Sequence, residues 1–231
     1  MAHRGASAVE RENTTVAFRR AAEMGSHAVE LDVRICKSGE LVVHHNSALA
    51  DTIAIKDLGR SQLPAYIPTL TEALDACTGM WVNIEIKNDD SEPDFDPSDK
   101  VAGMVVGLLR QRDPSQRWLI SSFRRQTVDF IHSLWPQLPT AWLTNRVSDS
   151  DAQALAESLT VSGHCALNPN VKTLSRYVVD VMHHNGLAVN TWTCDDPVRM
   201  GELIDWGIDG ICTNTPDIAL RVLAGHVEKL Q

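Results

Sequence analysis

The sequence predicts an α/β fold: a single (β/α)8 TIM-like barrel with a β-hairpin after the second strand and a reduced insertion. Three observations predict it. Short apolar runs alternate with amphipathic segments along the chain, the pattern of parallel strands joined by helical crossovers. Eight such units occur, the number that closes a barrel. The length, 231 residues, suits an α/β barrel built as one domain, so residues 1–231 are read as one domain. A doubly wound open sheet is the competing arrangement, but no G-x-G-x-x-G follows the first strand.

The elements follow in order. Met1–Arg4 is a short first strand. Glu12–Met24 has helical spacing and ends at Gly25, a C-cap signal. Ala28–Arg34 alternates as a strand. Thr69–Cys77 opens on Thr69-x-x-Glu72, a capping box. Strands are expected at Trp81–Lys87, Trp118–Phe123, Thr140–Leu143, His164–Asn168, Leu187–Thr193 and Gly210–Thr213. Helices are expected at Ser98–Arg112, Arg124–Trp135, Asp149–Leu159, Thr173–Asn185 and Pro197–Trp206, with a last one from Pro216 towards Leu230.

One run breaks the alternation. Leu41–His45 reads as a strand, yet only Lys37-Ser38-Gly39-Glu40 separates it from the strand before. A parallel crossover needs about a dozen residues, so this is a hairpin. A turn centred on Ser38-Gly39 sets Asp32 roughly opposite His45. Alternation then puts His45 on one face with Val43 and Leu41, and turns His44 away.

Net charge is −9, which argues against a nucleic-acid partner. Asn88 to Asp99 holds six acids and no base, read as a solvated loop, with a second metal site as the lesser reading. The five cysteines are widely spaced without C-x-x-C, so buried free thiols in a reducing compartment are expected. No signal peptide and no run of transmembrane length is found, and the expected location is cytoplasmic. The oligomeric state is not legible.

Chemistry gathers in short polar motifs at the ends of apolar runs: His3-Arg4-Gly5, Glu12-Asn13-Thr14, Glu30-Leu31-Asp32, His44-His45-Asn46 and Glu85-Ile86-Lys87. Glu30 and Asp32 share a strand face, and the apolar Val29, Leu31 and Val33 should face the helices. Both carboxylates then point into the barrel, and Glu85 with Lys87 repeats the arrangement on the next barrel strand. Inward carboxylates from neighbouring strands need positive partners or a hard cation such as Mg²⁺ or Ca²⁺. For any one pair, a salt bridge to Arg4 or Lys87 is the better reading. Convergence of all of them at strand ends favours the metal. Histidine moves protons near neutrality, and arginine matches phosphate. Trp192 and Phe123 end late strands and could wall a pocket, although a core tryptophan is nearly as good a reading of Trp192.

This ordered set resembles the glycerophosphodiester phosphodiesterase family, over nearly the whole chain. The resemblance rests on His3-Arg4-Gly5, Glu12-Asn13-Thr14, Glu30-Leu31-Asp32 and Val42-Val43-His44-His45, then Ile84–Lys87, Ile120–Phe123, Thr191-Trp192-Thr193 and Gly207–Thr213. It implies a phospholipase-C-like barrel that cleaves glycerophosphodiesters to sn-glycerol 3-phosphate and an alcohol with a divalent cation. It implies Glu30, Asp32 and Glu85 as ligands and His3 and His45 as the acid/base pair. Arg4 and Lys87 would bind phosphate, and Asn13 would order the site. The chain departs from the family at Asn46 and Asn214, where Asp is usual, and Ser47–Pro68 is short where the family commonly inserts a subdomain. Two further readings follow. A lysophospholipase-D-type activity would use an apolar groove near Ile53, Ile55, Tyr66 and Ile67. A catalytically weak barrel would bind phosphate esters without turnover, as the two asparagines suggest.

Overall fold

Parallel pairing runs through eight strands and returns to its start. The computed structural model describes residues 1–50, 52–113 and 117–229. The barrel strands are β1 (Ala2–His3), β2 (Ala28–Ile35), β6 (Trp81–Ile86), β7 (Trp118–Ser122), β8 (Thr140–Thr144), β9 (Ala166–Pro169), β10 (Ala188–Thr191) and β11 (Gly210–Ile211), paired in that order. Just after β11 the chain meets β1 again: His3 N donates to Thr213 O at 2.9 Å, and Thr213 N to Met1 O at 3.1 Å. The sheet therefore closes as a (β/α)8 barrel.

Helices surround it: α1 (Thr15–Glu23), α2 (Leu70–Ala76), α3 (Lys100–Leu109), α4 (Arg125–Leu134), α5 (Ala152–Val161), α6 (Arg176–His184), α7 (Pro197–Asp205) and α8 (Pro216–Lys229). The expected end near Leu230 lies outside the described residues. Val29, Leu31 and Val33 of β2 pack with Phe18 of α1 and Leu70 of α2, so apolar alternate residues face the helices. Burying such a side chain fully is worth about 1.5–3 kcal/mol. That preference turns Glu30, Asp32 and Arg34 to the opposite face.

Helix α1 begins later than its spacing suggests. Thr14 caps it, accepting from Ala17 N at 3.1 Å. Asn13 sits at φ +57°, so Glu12-Asn13 forms a pre-helical bend and not a first turn. The capping box at Thr69 is formed: Thr69 N donates to Glu72 Oε2 at 2.7 Å, and Glu72 N to Thr69 Oγ1 at 3.2 Å.

The hairpin forms, with its register one residue from expectation. β3 (Leu41–Val43) pairs Val33 with Val43 and Arg34 with Val42, and His44 N donates to Asp32 O at 3.0 Å. Asp32 therefore lies opposite His44. The ladder ends at Val43, and the bend after it, not strand alternation, carries His45 towards the barrel mouth.

The short segment after the hairpin makes a small ribbon, β4 (Ala48–Leu49) with β5 (Ile53–Ala54). Ile55 and Ile67 are buried with Cys36, Val42 and Leu63 beneath the hairpin. They do not line an open apolar groove, which removes half of the residues expected to form one.

Asn88 to Asp99 is a loop, but only partly solvated: Asp90, Ser91 and Ser98 are exposed, while other acids are held by buried groups. Arg34, wholly buried, reaches Asp94 Oδ2 at 2.6 Å and Glu92 Oε2 at 2.5 Å. Asn88 Nδ2 donates to Asp99 Oδ1 at 2.7 Å, and Arg124 Nη1 to Asp99 Oδ2 at 2.7 Å. Cations distant in sequence hold the acidic segment down. The cysteines are free thiols, and Cys165 is exposed where burial was expected. No helix among the described residues is long and apolar enough to cross a membrane.

Candidate active site

Adjacent strands in register bring the acids together. β2 and β6 pair Glu30 with Asn83 and Asp32 with Glu85. Glu30, Asp32 and Glu85 are all buried, and each offers an oxygen within 4.8 Å of the others. No second such group occurs among the described residues, the acidic segment included.

Arg4 and Asn13 approach this cluster from loops after β1 and before α1, both with positive φ of 57°. Non-glycine residues seldom hold that conformation, and it clusters at functional sites. Its result here is specific: Arg4 N donates to Glu30 Oε2 at 3.0 Å, and Asn13 Nδ2 to Asp32 Oδ2 at 2.7 Å. Gly5 follows at φ +84°, where a Cβ would lie 2.7 Å from the Ala17 backbone, so the tight packing of this loop on α1 admits only glycine.

Cations surround the acids. Arg4 Nε is 3.3 Å from Asp32 Oδ2, and its Nη1 binds both oxygens of Glu12 at 3.0 and 3.1 Å. Lys87 Nζ donates to Glu85 Oε1 at 2.8 Å and is 3.6 Å from Asp32 Oδ1. Salt bridges therefore form, yet Glu30 Oε1 and Asp32 Oδ1 have no hydrogen-bond donor. Buried carboxylate oxygens left so are costly.

The three buried acids outnumber Arg4 and Lys87, and Arg4 is shared with Glu12 at the exposed edge, so carboxylates are in excess over cations. Burial, then the charges of Asp32 and Glu85, push the Glu30 carboxyl well above its usual range. Burial raises Glu85 as well, against Lys87. For Asp32 burial works in the same sense, but Lys87 and Arg4 outweigh it and hold that carboxyl low. The donor set is all oxygen and hard, with Glu30 Oε1 and Asp32 Oδ1 lacking hydrogen-bond donors, and it fits a divalent cation of the Mg²⁺ or Ca²⁺ type.

Both histidines border a cavity of about 220 Å³ beside the acids, with Arg4, Phe123 and Trp192. His3 Nε2 is 4.0 Å from Glu30 Oε2, and its Nδ1 meets Asn214 Oδ1 at 2.7 Å. His45 Nδ1 meets Asn46 Oδ1 at 2.8 Å. Burial lowers the pKa of both imidazoles. Arg4 adds to this at His3, and at His45 Lys87 and Arg4 act against Asp32. Phe123 and Trp192 meet edge to face, centroids 5.3 Å apart, and Trp192 Nε1 donates to Asn168 O at 2.9 Å. The wider groove of about 600 Å³, between α1 and the 65–75 region, touches none of these groups.

Asn83, Asn168 and Asn190 also line the cavity and were not singled out in the sequence. The signal was present: each is a polar residue inside an apolar strand. Arg34 was missed because its acidic partners lie far along the chain.

A closed parallel barrel with Glu30, Glu85, Arg4 and two histidines on one cavity, and Asp32 and Lys87 just behind it, is an arrangement suited to a hydrolase of phosphoric esters. The sequence model of the glycerophosphoryl diester phosphodiesterase family matches residues 3–218, and the chain belongs to that family of phosphoric diester hydrolases. A glycerophosphodiester phosphodiesterase of Bacillus subtilis (strain 168) is 28% identical over 256 residues, 98% of this chain and 86% of its own. The structure of a glycerophosphodiester phosphodiesterase from Thermotoga maritima superposes with a TM-score of 0.82 at 26% identity, covering 96% of each chain. A phosphodiesterase of Oleispira antarctica, solved in complex with the product sn-glycerol-3-phosphate, shares the fold with a TM-score of 0.87 at 22% identity, covering 96% of this chain and 95% of that one.

Proposed function

We propose that residues 1–231 form one catalytic domain that hydrolyses glycerophosphodiesters to sn-glycerol 3-phosphate and an alcohol. The observation that carries the reading is the buried triad Glu30, Asp32 and Glu85, with two of its oxygens lacking any donor. These residues would hold one divalent cation, Mg²⁺ or Ca²⁺. Such an ion supplies charge neutralisation at the phosphate and polarises its oxygen. It would offset the negative charge of the acids, so that a phosphodiester monoanion can approach Arg4 and the ion.

The chain's own groups do the rest. Arg4 and Lys87 bind the phosphate oxygens and oppose the charge that develops on them. Asn13 orders Asp32. One imidazole of the pair His3 and His45 takes the proton from the attacking hydroxyl, of water or of the substrate's own glycerol. The other gives a proton to the leaving alcohol as the P–O bond breaks. Where the glycerol hydroxyl attacks, the first product is a cyclic phosphate, which a water then opens to glycerol 3-phosphate with the same two imidazoles moving protons. Phe123 and Trp192 wall the cavity against the glycerol carbons.

Glycerophosphocholine or glycerophosphoethanolamine, incubated with the protein and Mg²⁺ or Ca²⁺, should yield glycerol 3-phosphate. No product with any divalent ion and either headgroup would refute the reading.

A further inference from the structure

We infer that Asp195 is a positioning residue for this reaction, fixing through Asn214 which nitrogen of His3 carries the proton. The inference rests on the reading of His3 as a proton-moving residue. Asp195 is exposed, and neither it nor Asn214 lines the cavity.

Donors and acceptors are fixed in turn outward from the Asp195 carboxylate. Asp195 Oδ1 accepts from Thr213 Oγ1 at 2.7 Å and from Asn214 N at 2.8 Å, while Oδ2 accepts from Asn214 Nδ2 at 2.6 Å. A carboxylate only accepts, so the Asn214 amide must turn its NH₂ towards it. The amide oxygen then faces the other way, where it meets His3 Nδ1 at 2.7 Å and Ser7 Oγ at 2.9 Å. That oxygen also only accepts. His3 Nδ1 must therefore carry the hydrogen, and in the neutral ring Nε2 holds the lone pair. Nε2 is the atom 4.0 Å from Glu30, on the side of the acids.

His45 has the same kind of partner without the anchor. Its Nδ1 meets Asn46 Oδ1 at 2.8 Å, but among the described residues no carboxylate holds the Asn46 amide. The two histidines thus differ in how firmly their proton is placed. Asn214, which has no charge of its own, passes on the orientation set by a negative charge one step farther out. That gives the departure at position 214 a physical role.

Asp195→Asn tests this with little disturbance of the loop. Its amide oxygen can still accept from Thr213 Oγ1 and Asn214 N, but its NH₂ now faces the NH₂ of Asn214. The Asn214 amide must flip, and His3 then needs a lone pair at Nδ1 and the proton at Nε2. The double variant Asp195→Asn/Asn214→Asp restores an acceptor beside His3, because the carboxylate at position 214 accepts both from the ring and from the new amide. Nitrogen-15 spectra of the neutral His3 ring, above the imidazole titration range, report the tautomer directly. Alongside them, kcat and KM are measured on glycerophosphocholine.

The expected result is an Nδ1–H ring in the natural protein and in the double variant, and an Nε2–H ring in Asp195→Asn. The single variant should lose about tenfold or more in kcat at nearly constant KM, a part of what a positioned base contributes, and the double variant should recover most of it. An Nδ1–H ring in Asp195→Asn, or an Nε2–H ring in the natural protein, would overturn the inference. So would a loss of kcat that the double variant does not repair. The spectra give their answer even if glycerophosphocholine is not turned over, so failure of the inference and failure of the proposed function are separable.

Discussion

The carbonyl oxygen of His45 accepts two hydrogen bonds from one guanidinium, Arg34 Nε at 3.0 Å and Nη2 at 2.6 Å. The same group binds Glu92 and Asp94 on its other side. One buried cation thus joins the acidic 88–99 segment to the bend that presents His45. Arg34→Lys keeps a charge but loses the planar fork. It should lower kcat, because His45 loses its backbone anchor. Arg34→Met should destabilise the fold by about 3–5 kcal/mol, because it strands acids built around a buried charge. Urea melts and steady-state kinetics check both; unchanged stability in Arg34→Met would show that the clamp contributes nothing.

The two cavity histidines should be functionally distinct from their neighbour. His3→Ala and His45→Ala should each lower turnover by about 10²-fold or more. His44 points its Nδ1 at Asn46 O, 2.9 Å away, and does not border the cavity. His44→Ala should leave kcat nearly unchanged, and a large loss there would exchange the roles of the two residues.

A third histidine makes stability depend on pH. His164 is buried, with Nδ1 2.8 Å from Thr140 Oγ1 and Nε2 2.8 Å from Asp129 Oδ1. Burial lowers its pKa below the ordinary 6.5, against the opposing pull of Asp129. The unfolded chain therefore binds more protons than the folded one between that depressed value and 6.5, so stability rises with pH across this window. The contribution is complete above 6.5 and is lost as pH falls. His164→Gln keeps both bonding partners without titrating, so its melting temperature should fall less on acidification. Parallel curves for the two proteins would contradict this.

How far the sequence could be read depends on the range of the forces involved. Strand alternation is local, so Glu30, Asp32 and Glu85 were legible as inward residues from Val29, Leu31, Val33, Ile84 and Ile86 alone. The hairpin was legible from its four-residue gap, but its register was not: Cys36 N donates to Glu40 O, so the turn centres on Ser38 alone and every pairing shifts by one residue. The burial of Asp94 and Asp99 was illegible for a related reason: Arg34 and Arg124 lie far away in the chain. Composition alone reads six acids as a solvated run. Asn168 and Asn190 stood in plain view as polar residues within apolar strands, and only barrel closure gives them a common cavity.

The central claim is that Glu30, Asp32 and Glu85 form one cation site that catalysis requires. The most direct measurement follows glycerol 3-phosphate release and melting temperature together in the natural protein and in Glu85→Gln, in EDTA and after adding Mg²⁺ or Ca²⁺. The natural protein should be inactive in EDTA and recover with the metal. Its melting temperature should rise by on the order of 5 °C or more at about 100-fold excess over Kd. Glu85→Gln should lose both responses. Full activity in EDTA, with a melting temperature indifferent to either ion, would contradict the claim and leave the three acids as partners of Arg4 and Lys87 alone.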